Sequence, residues 1–337
     1  MSLTASLIDR LKARPAAKSL VYQAIDLPLV SQAYRRLYSA KIRHYLRTRP
    51  VRSLTIEPYN LCNLKCVMCP YQVMTRPRVK MGMDTFRGVV DQAAGLGITR
   101  INLTSYNEAF LDDLLFERIA YLKRLGMYVS FFSNGTVTNR DMVERLLACP
   151  PDLVVFSVDS ADADTCRLIR PGAELDAVRE NIALLLRRRG ERGMCLPFVR
   201  INMTVMEANR GEIRDMARYW RGRCDRFEYY NADNRFGSPP PAGRWSRDGS
   251  IYAYPCWRAF YDWGVLSDGR VTVCECRDYD GRQLIGDVRT QGLRGILGSD
   301  AWREIRERHL EFRGTEIPLC RGCSWLHRSA FEWWQRE

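Results

Sequence analysis

Cys62-Asn63-Leu64-Lys65-Cys66-Val67-Met68-Cys69 sets three cysteines at Cys-x3-Cys-x2-Cys, directly after the apolar run Leu54 to Ile56. Soft thiolate ligands suit iron–sulfur clusters, and three on one short loop can hold three irons of a cubane [4Fe–4S] cluster. No further cysteine follows until Cys149, so one iron of such a cluster is left without a local protein ligand. An open iron is a binding site. Zinc is the competing reading, but structural zinc sites close with four ligands and this spacing serves them poorly.

Outward from that loop, residues 51 to about 231 alternate short β-branched runs with amphipathic helical stretches. Strands are expected over 52–57, 99–104, 127–132, 152–158, 197–204 and 225–230, with helices over 84–95, 110–125, 138–148, 174–189 and 209–220. Such alternation specifies right-handed βαβ units and a parallel sheet. Six units are too few for a complete eight-stranded barrel.

The cysteine loop, with Asn63-Leu64 after its first cysteine and Pro70 after its last, resembles the signature of the radical S-adenosylmethionine (SAM) enzymes. The resemblance implies a partial (β/α)6 barrel with its chemistry at the C-terminal strand ends. It also implies that SAM chelates the open iron and is cleaved reductively to a 5′-deoxyadenosyl radical that abstracts hydrogen from substrate. An electron donor such as flavodoxin or ferredoxin is implied with it. Further segments match in chain order. Asn107-Glu108 is similar to the end of the family's Gly-Gly-Glu segment, without its glycines, and implies Glu108 as acceptor for the SAM ammonium. Ser133-Asn134-Gly135-Thr136 is similar to the Thr-Asn-Gly turn near SAM. Ser157 and Asp159, followed by Ile169-Arg170, resemble Ser-x-Asp and Ile-Arg-Gly, with the serine near the ribose and the arginine near the SAM carboxylate. Asn202 resembles the polar SAM contact of strand five, and Met68 lies inside the cysteine motif itself. Taken singly, each has a plainer reading as a turn, a helix charge or a surface ion pair.

Near residue 235 the pattern changes. Gly237-Ser238-Pro239-Pro240-Pro241-Ala242-Gly243 cannot continue a helix or a central strand and marks a domain boundary. Three parts are expected: a basic helical extension over 1–50, the barrel over 51–236, and a smaller domain with its tail over 237–337. In the last, Val265 to Val273 reads as a β-hairpin turning on Asp268-Gly269, and a helical segment runs from Leu293 to about His309. A second cysteine set follows the pattern Cys256-x17-Cys274-x45-Cys320-x2-Cys323. From spacing alone, four thiolates saturate either a zinc ion or a [4Fe–4S] cluster, and Cys276 competes for a ligand position. The arrangement resembles the twitch domain, a shortened SPASM domain of radical SAM enzymes of the 2-deoxy-scyllo-inosamine dehydrogenase type. That resemblance implies one auxiliary [4Fe–4S] cluster.

Charge is uneven: residues 1–52 hold eleven Lys and Arg against Asp9 and Asp26, nine of the thirteen net positive charges. A helix is expected from Pro28 to Arg47, with Val30, Tyr34, Leu37, Ile42 and Tyr45 as its apolar stripe. It reads as an extension packed on the barrel with a solvated basic face, or as a dock for an acidic partner, an anionic substrate or a membrane surface. No nucleic-acid-binding module is recognisable. No apolar run approaches the roughly 20 residues of a membrane span, and no signal-peptide core is present. Twelve cysteines without a secretion signal point to metal sites in a reducing cytoplasm. Three histidines leave little room for histidine-centred chemistry. Cys149, Cys166, Cys195 and Cys224 read as small buried residues, and Trp325, Phe331, Trp333 and Trp334 as packing over the smaller domain.

The expected function is a radical SAM oxidoreductase that dehydrogenates a polar small molecule (a sugar, aminosugar or aminocyclitol), with the auxiliary cluster as electron acceptor. Tyr229, Tyr230 and Asn234 at the end of strand six suit a polyol, or form only a polar loop. Cys224 could return hydrogen to a substrate radical, giving epimerisation instead. Dehydration of a similar substrate, or maturation of a ribosomal peptide or protein, are the other enzymatic readings. A zinc-stabilised binding module with a basic arm is the non-enzymatic one.

Overall fold

The structure, a computed structural model, describes residues 28–48, 51–232, 255–256, 258–261, 263–323 and 326. Its centre is a nine-stranded sheet in the order β6-β5-β4-β3-β2-β1-β7-β8-β9. The first six strands are β1 (Ser53–Ile56), β2 (Arg100–Asn102), β3 (Tyr128–Ser133), β4 (Leu153–Ser157), β5 (Phe198–Val205) and β6 (Arg226–Asn231). Each pairs in parallel with the next, as a six-unit partial (β/α) barrel requires.

α1 (Pro28–Thr48) precedes β1, and the crossovers carry α2 (Met83–Gly95), α3 (Leu115–Arg124), α4 (Arg140–Ala148), α5 (Ala163–Ile169), α6 (Leu175–Glu191) and α7 (Ile213–Trp220). Leu175, Val178, Ile182 and Leu185 recur at helical spacing and give α6 one buried face. They join Val199, Ile201, Met203 and Val205, the buried alternate residues of β5, in one core. Arg200, Asn202 and Thr204 occupy the other face of β5, because successive strand side chains point oppositely. A strand that is apolar on one face and polar on the other thus separates the packed core from the barrel interior.

Past the expected boundary, whose residues 237–243 lie outside the described ones, the sheet continues. β7 (Gly264–Val265) pairs in parallel with β1, and β8 (Arg270–Thr272) and β9 (Leu284–Asp287) follow antiparallel. The Asp268-Gly269 hairpin forms with shorter strands than the pattern suggests, and Gly269 adopts φ +88°, open to residues without a side chain. α8 (Arg258–Tyr261), α9 (Gly292–Leu297) and α10 (Asp300–Leu310) complete this part. The single helix expected from Leu293 to His309 is therefore two. Gly298 ends α9, and Ser299 starts α10 by accepting the Trp302 N–H with its side chain.

Two other expectations need correction. Helix α5 is additional; its signal was the Asp162 cap, which accepts the Thr165 N–H. In α1 Ile42 is buried as expected, but Leu37 is 71% exposed and Tyr38 takes the inward position. The side chains of Val30, Tyr34 and Tyr45 lie outside the described set. α1 docks on the end of α10: Ser39 Oγ donates to Leu310 O at 2.7 Å, and Tyr38 packs 6.3 Å from Phe312.

Candidate functional site

The loop after β1 is shaped by its own backbone and by neighbouring strand ends. Cys69 N–H donates to Cys66 O at 2.9 Å, and Val67 N–H donates to Ile169 O at 3.0 Å, pinning the loop to the end of α5. Asn60 closes its base, donating to Pro77 O and accepting the Val79 N–H. Cys66 is buried, Cys62 and Cys69 half-buried. Burial pushes the Cys62 thiol up to about 12, and Glu108, Cys66 and Cys69 push in the same direction. Burial also raises Cys66, against the opposing charge of Arg170. Cys62 and Cys66, held so that they resist ionisation, are thiols that a bound metal cluster would deprotonate.

Around this loop the strand ends form a hydrogen-bonded shelf. Glu108, buried, accepts from Ser133 Oγ at 2.8 Å, Asn134 N–H at 2.6 Å and Phe110 N–H at 3.2 Å. Its own N–H donates to Leu61 O, beside Cys62. Asn134 Nδ2 donates to Asn63 Oδ1 at 2.9 Å and sits 4.0 Å from Cys62 Sγ. Asn63 Nδ2 in turn reaches Thr136 Oγ1 at 2.8 Å. Asn107 closes its own turn, accepting from Ser105 N–H and donating to Leu103 O. Gly135 stands at φ +74°, where a Cβ would lie 3.0 Å from Val178 Cγ1.

Arg170 bonds Asp159 Oδ2 through Nε at 2.7 Å and Nη2 at 2.6 Å, while Nη1 lies 3.5 Å from Cys66 Sγ. Asp159 Oδ1 accepts the Thr204 N–H, so the pair is locked to β5. Glu108 and Arg170, expected as contacts to the SAM ammonium and carboxylate, already bond partners inside the protein, while Arg170 Nη1 faces the cysteine loop. Polar atoms without a partner lie elsewhere: Asn202 Oδ1 and Asn102 Oδ1 are buried and unbonded. Ser157 registers against Asn202, and half-buried Met68 packs on the core.

A second group of thiols forms beside β8. Cys256 precedes α8, Cys274 follows β8, and Cys320 and Cys323 flank a turn closed by Cys323 N–H to Cys320 O at 3.0 Å. Burial raises Cys274, with Cys276, Cys256, Cys320 and Cys323 adding to it. Cys256 and Cys323 pack together with Cys320 against them, and Cys256 is pushed up to about 11 by burial and then by Cys323. Among the described residues no three His, Cys, Asp or Glu side chains converge as a single-ion site.

What joins the two groups was not legible in the sequence. Glu57, fully buried at the end of β1, accepts from Arg76 Nη1 at 2.9 Å and Nη2 at 3.0 Å. Tyr106 N–H and Ser267 N–H also approach its carboxylate, each at 3.4 Å. Arg76 Nε donates to Tyr279 O at 2.5 Å, and Thr75 N–H to Asp280 Oδ1 at 2.7 Å. One buried ion pair therefore ties the first thiol loop, β2 and the β7–β9 part together.

The expected substrate residues are divided. Tyr229 and Tyr230 lie on the edge strand β6, 55% and 51% exposed, and Tyr230 Oη bonds Glu228. Glu228 pairs with Arg200 at 3.3 Å, beside Asn202. Asn234 lies outside the described residues. Cys224 is corrected: it precedes β6 at the N-terminal end of the sheet, opposite the thiol loop, with Sγ against Trp220 O at 3.5 Å.

Family models agree with this geometry. The radical SAM superfamily model matches residues 56–219, and the SPASM iron–sulfur cluster-binding domain model matches residues 256–324. The chain belongs to the radical SAM superfamily. A probable GTP 3′,8-cyclase of Pyrococcus horikoshii is 31% identical over 51% of this chain and 53% of its own. The chain spans about half the length of the curated relatives it matches. Among solved structures, BtrN in complex with AdoMet and 2-DOIA superposes with TM-score 0.54 and 15% identity, over 81% of this chain and 92% of that one. Streptococcus suis SuiB bound to precursor peptide SuiA does so with TM-score 0.65 and 16% identity, over 87% and 74%. Both establish the radical SAM and SPASM fold.

Membership brings S-adenosylmethionine, a SAM-binding [4Fe–4S] cluster and an auxiliary [4Fe–4S] cluster as cofactors. The residues present fit them: two sets of buried and half-buried thiols, and an unbonded amide oxygen at Asn202 facing the barrel interior. Among the described residues no helix is long and apolar enough to cross a membrane.

Proposed function

We propose that this radical SAM protein is an oxidoreductase that dehydrogenates a polar, hydroxyl- or amine-bearing small molecule of the sugar, aminosugar or aminocyclitol kind. The observation that carries the reading is the direct hydrogen bonding of β7 to β1, with Glu57–Arg76 beneath it, which builds both thiol sets on one frame. In this reading Cys62, Cys66 and Cys69 hold the SAM-binding cluster, and Cys256, Cys274, Cys320 and Cys323 the auxiliary one. When bound, these cofactors supply reductive cleavage of SAM, a radical that takes hydrogen from substrate, and an acceptor for the second electron. Glu108 fixes Asn134 against the cysteine loop, and the Asp159–Arg170 pair sets a positive charge beside Cys66. Asn202 Oδ1 offers an acceptor to a bound donor. The Arg200–Glu228 pair and the Tyr230 hydroxyl present both donors and acceptors along β5 and β6, suiting a neutral or zwitterionic polyol more than an apolar side chain. A one-electron donor such as flavodoxin or ferredoxin, in a reducing cytoplasm, completes the requirement.

The test is anaerobic turnover with SAM and a reductant against panels of aminocyclitols, amino sugars and short peptides. Formation of 5′-deoxyadenosine in equal amount to a product two hydrogens lighter, with a polyol or amino sugar only, is the expected result. A product of unchanged mass would point to epimerisation, and turnover confined to the peptides would overturn the substrate class.

A further inference from the structure

His309 belongs to neither thiol set, yet its ring touches the backbone of Cys256 and the thiol of Cys320. It is buried, on the last turn of α10. Its Nδ1 accepts the backbone N–H of Cys256 at 3.4 Å, and its Nε2 lies 3.7 Å from Cys320 Sγ. A ring nitrogen that accepts a hydrogen bond cannot carry the proton. The neutral imidazole has one N–H, so the contact with Cys256 puts it on Nε2, facing the Cys320 sulfur.

The packing holds the ring in that pose. Phe260 meets it edge-on at a centroid distance of 6.3 Å, and a Cβ at Gly314 would lie 2.8 Å from Nδ1 and 2.9 Å from Cε1. Gly314 therefore keeps that side of the ring clear. We infer that His309 is a positioning residue for the auxiliary cluster, donating Nε2–H to Cys320 Sγ and raising the potential at which that cluster takes up one electron. This rests on the assignment of Cys256, Cys274, Cys320 and Cys323 as its ligands. The physical ground is that a donor to a cluster sulfur stabilises the more negative, reduced form over the oxidised one. A higher potential suits a cluster that accepts an electron from substrate.

The test uses the Cys62→Ala/Cys66→Ala/Cys69→Ala protein, in which only the auxiliary cluster remains, and a redox titration followed by electron paramagnetic resonance. His309→Leu is expected to lower the ratio of reduced to oxidised cluster about tenfold at a fixed potential, roughly 59 mV for a one-electron couple. His309→Gln, whose amide N–H reaches the same position, is expected to restore most of it. An unchanged potential in His309→Leu overturns the inference, whereas a triple-alanine protein without iron overturns the ligand assignment beneath it. Should His309→Leu lose its cluster, pulsed resonance on protein carrying isotopically labelled histidine decides. Weak nitrogen coupling through the sulfur supports the hydrogen bond, and the strong coupling of an iron-bound nitrogen overturns it.

Discussion

Arg170 sits 3.5 Å from Cys66 Sγ with two of its nitrogens on Asp159, and Glu108 accepts three protein donors before any ligand is bound. Resemblance of their segments to family motifs singled out both residues, Glu108 after β2 and Arg170 at the end of α5. Their partners were not readable, since hydrogen bonds to Asp159 and Asn134 depend on how separate strand ends stack. Gly135 shows the opposite case, since Asn134-Gly135 announces a turn in the sequence and the turn is there. Gly135→Ala would force a side chain into φ +74° and against Val178. We predict a loss of about 1–2 kcal/mol in denaturant unfolding, together with weaker iron retention at the adjoining Asn134–Asn63–Cys62 corner. Unchanged stability would mean that the turn relaxes freely.

Among the elements, alternation of β-branched runs and amphipathic stretches was enough to locate the six strands of the barrel. Their lengths were less legible: β2 keeps only Arg100–Asn102 of the expected 99–104, because Thr104 to Asn107 turn away to bond one another and Glu57. The Glu57–Arg76 pair left no periodic signal, being two charged residues nineteen positions apart. Both side chains are nearly inaccessible, so removing one strands the other. Arg76→Met is expected to destabilise the folded protein by about 3–5 kcal/mol, as for a broken buried ion pair. The double variant Glu57→Leu/Arg76→Met should recover a good part of that loss, since the unpaired charge is gone. A single-variant cost under about 1 kcal/mol would show the pair to be solvated in solution.

For the whole molecule, the partial barrel and the SPASM-type part were legible from strand–helix alternation and two cysteine patterns. The manner of their joining was not. β7 adds directly to β1, and α1 reaches across to α10 through Ser39 and Leu310, 271 positions apart. Contacts at that separation leave no trace in local periodicity. The consequence is a single frame carrying two thiol sets, on which the proposed electron transfer depends. Iron and sulfide per chain, measured on anaerobically prepared protein beside the Cys62→Ala/Cys66→Ala/Cys69→Ala variant, test that directly. About eight irons falling to about four is the predicted result, the content of two cubanes and of one. About four irons accompanied by one zinc, or no iron after reconstitution, would contradict it.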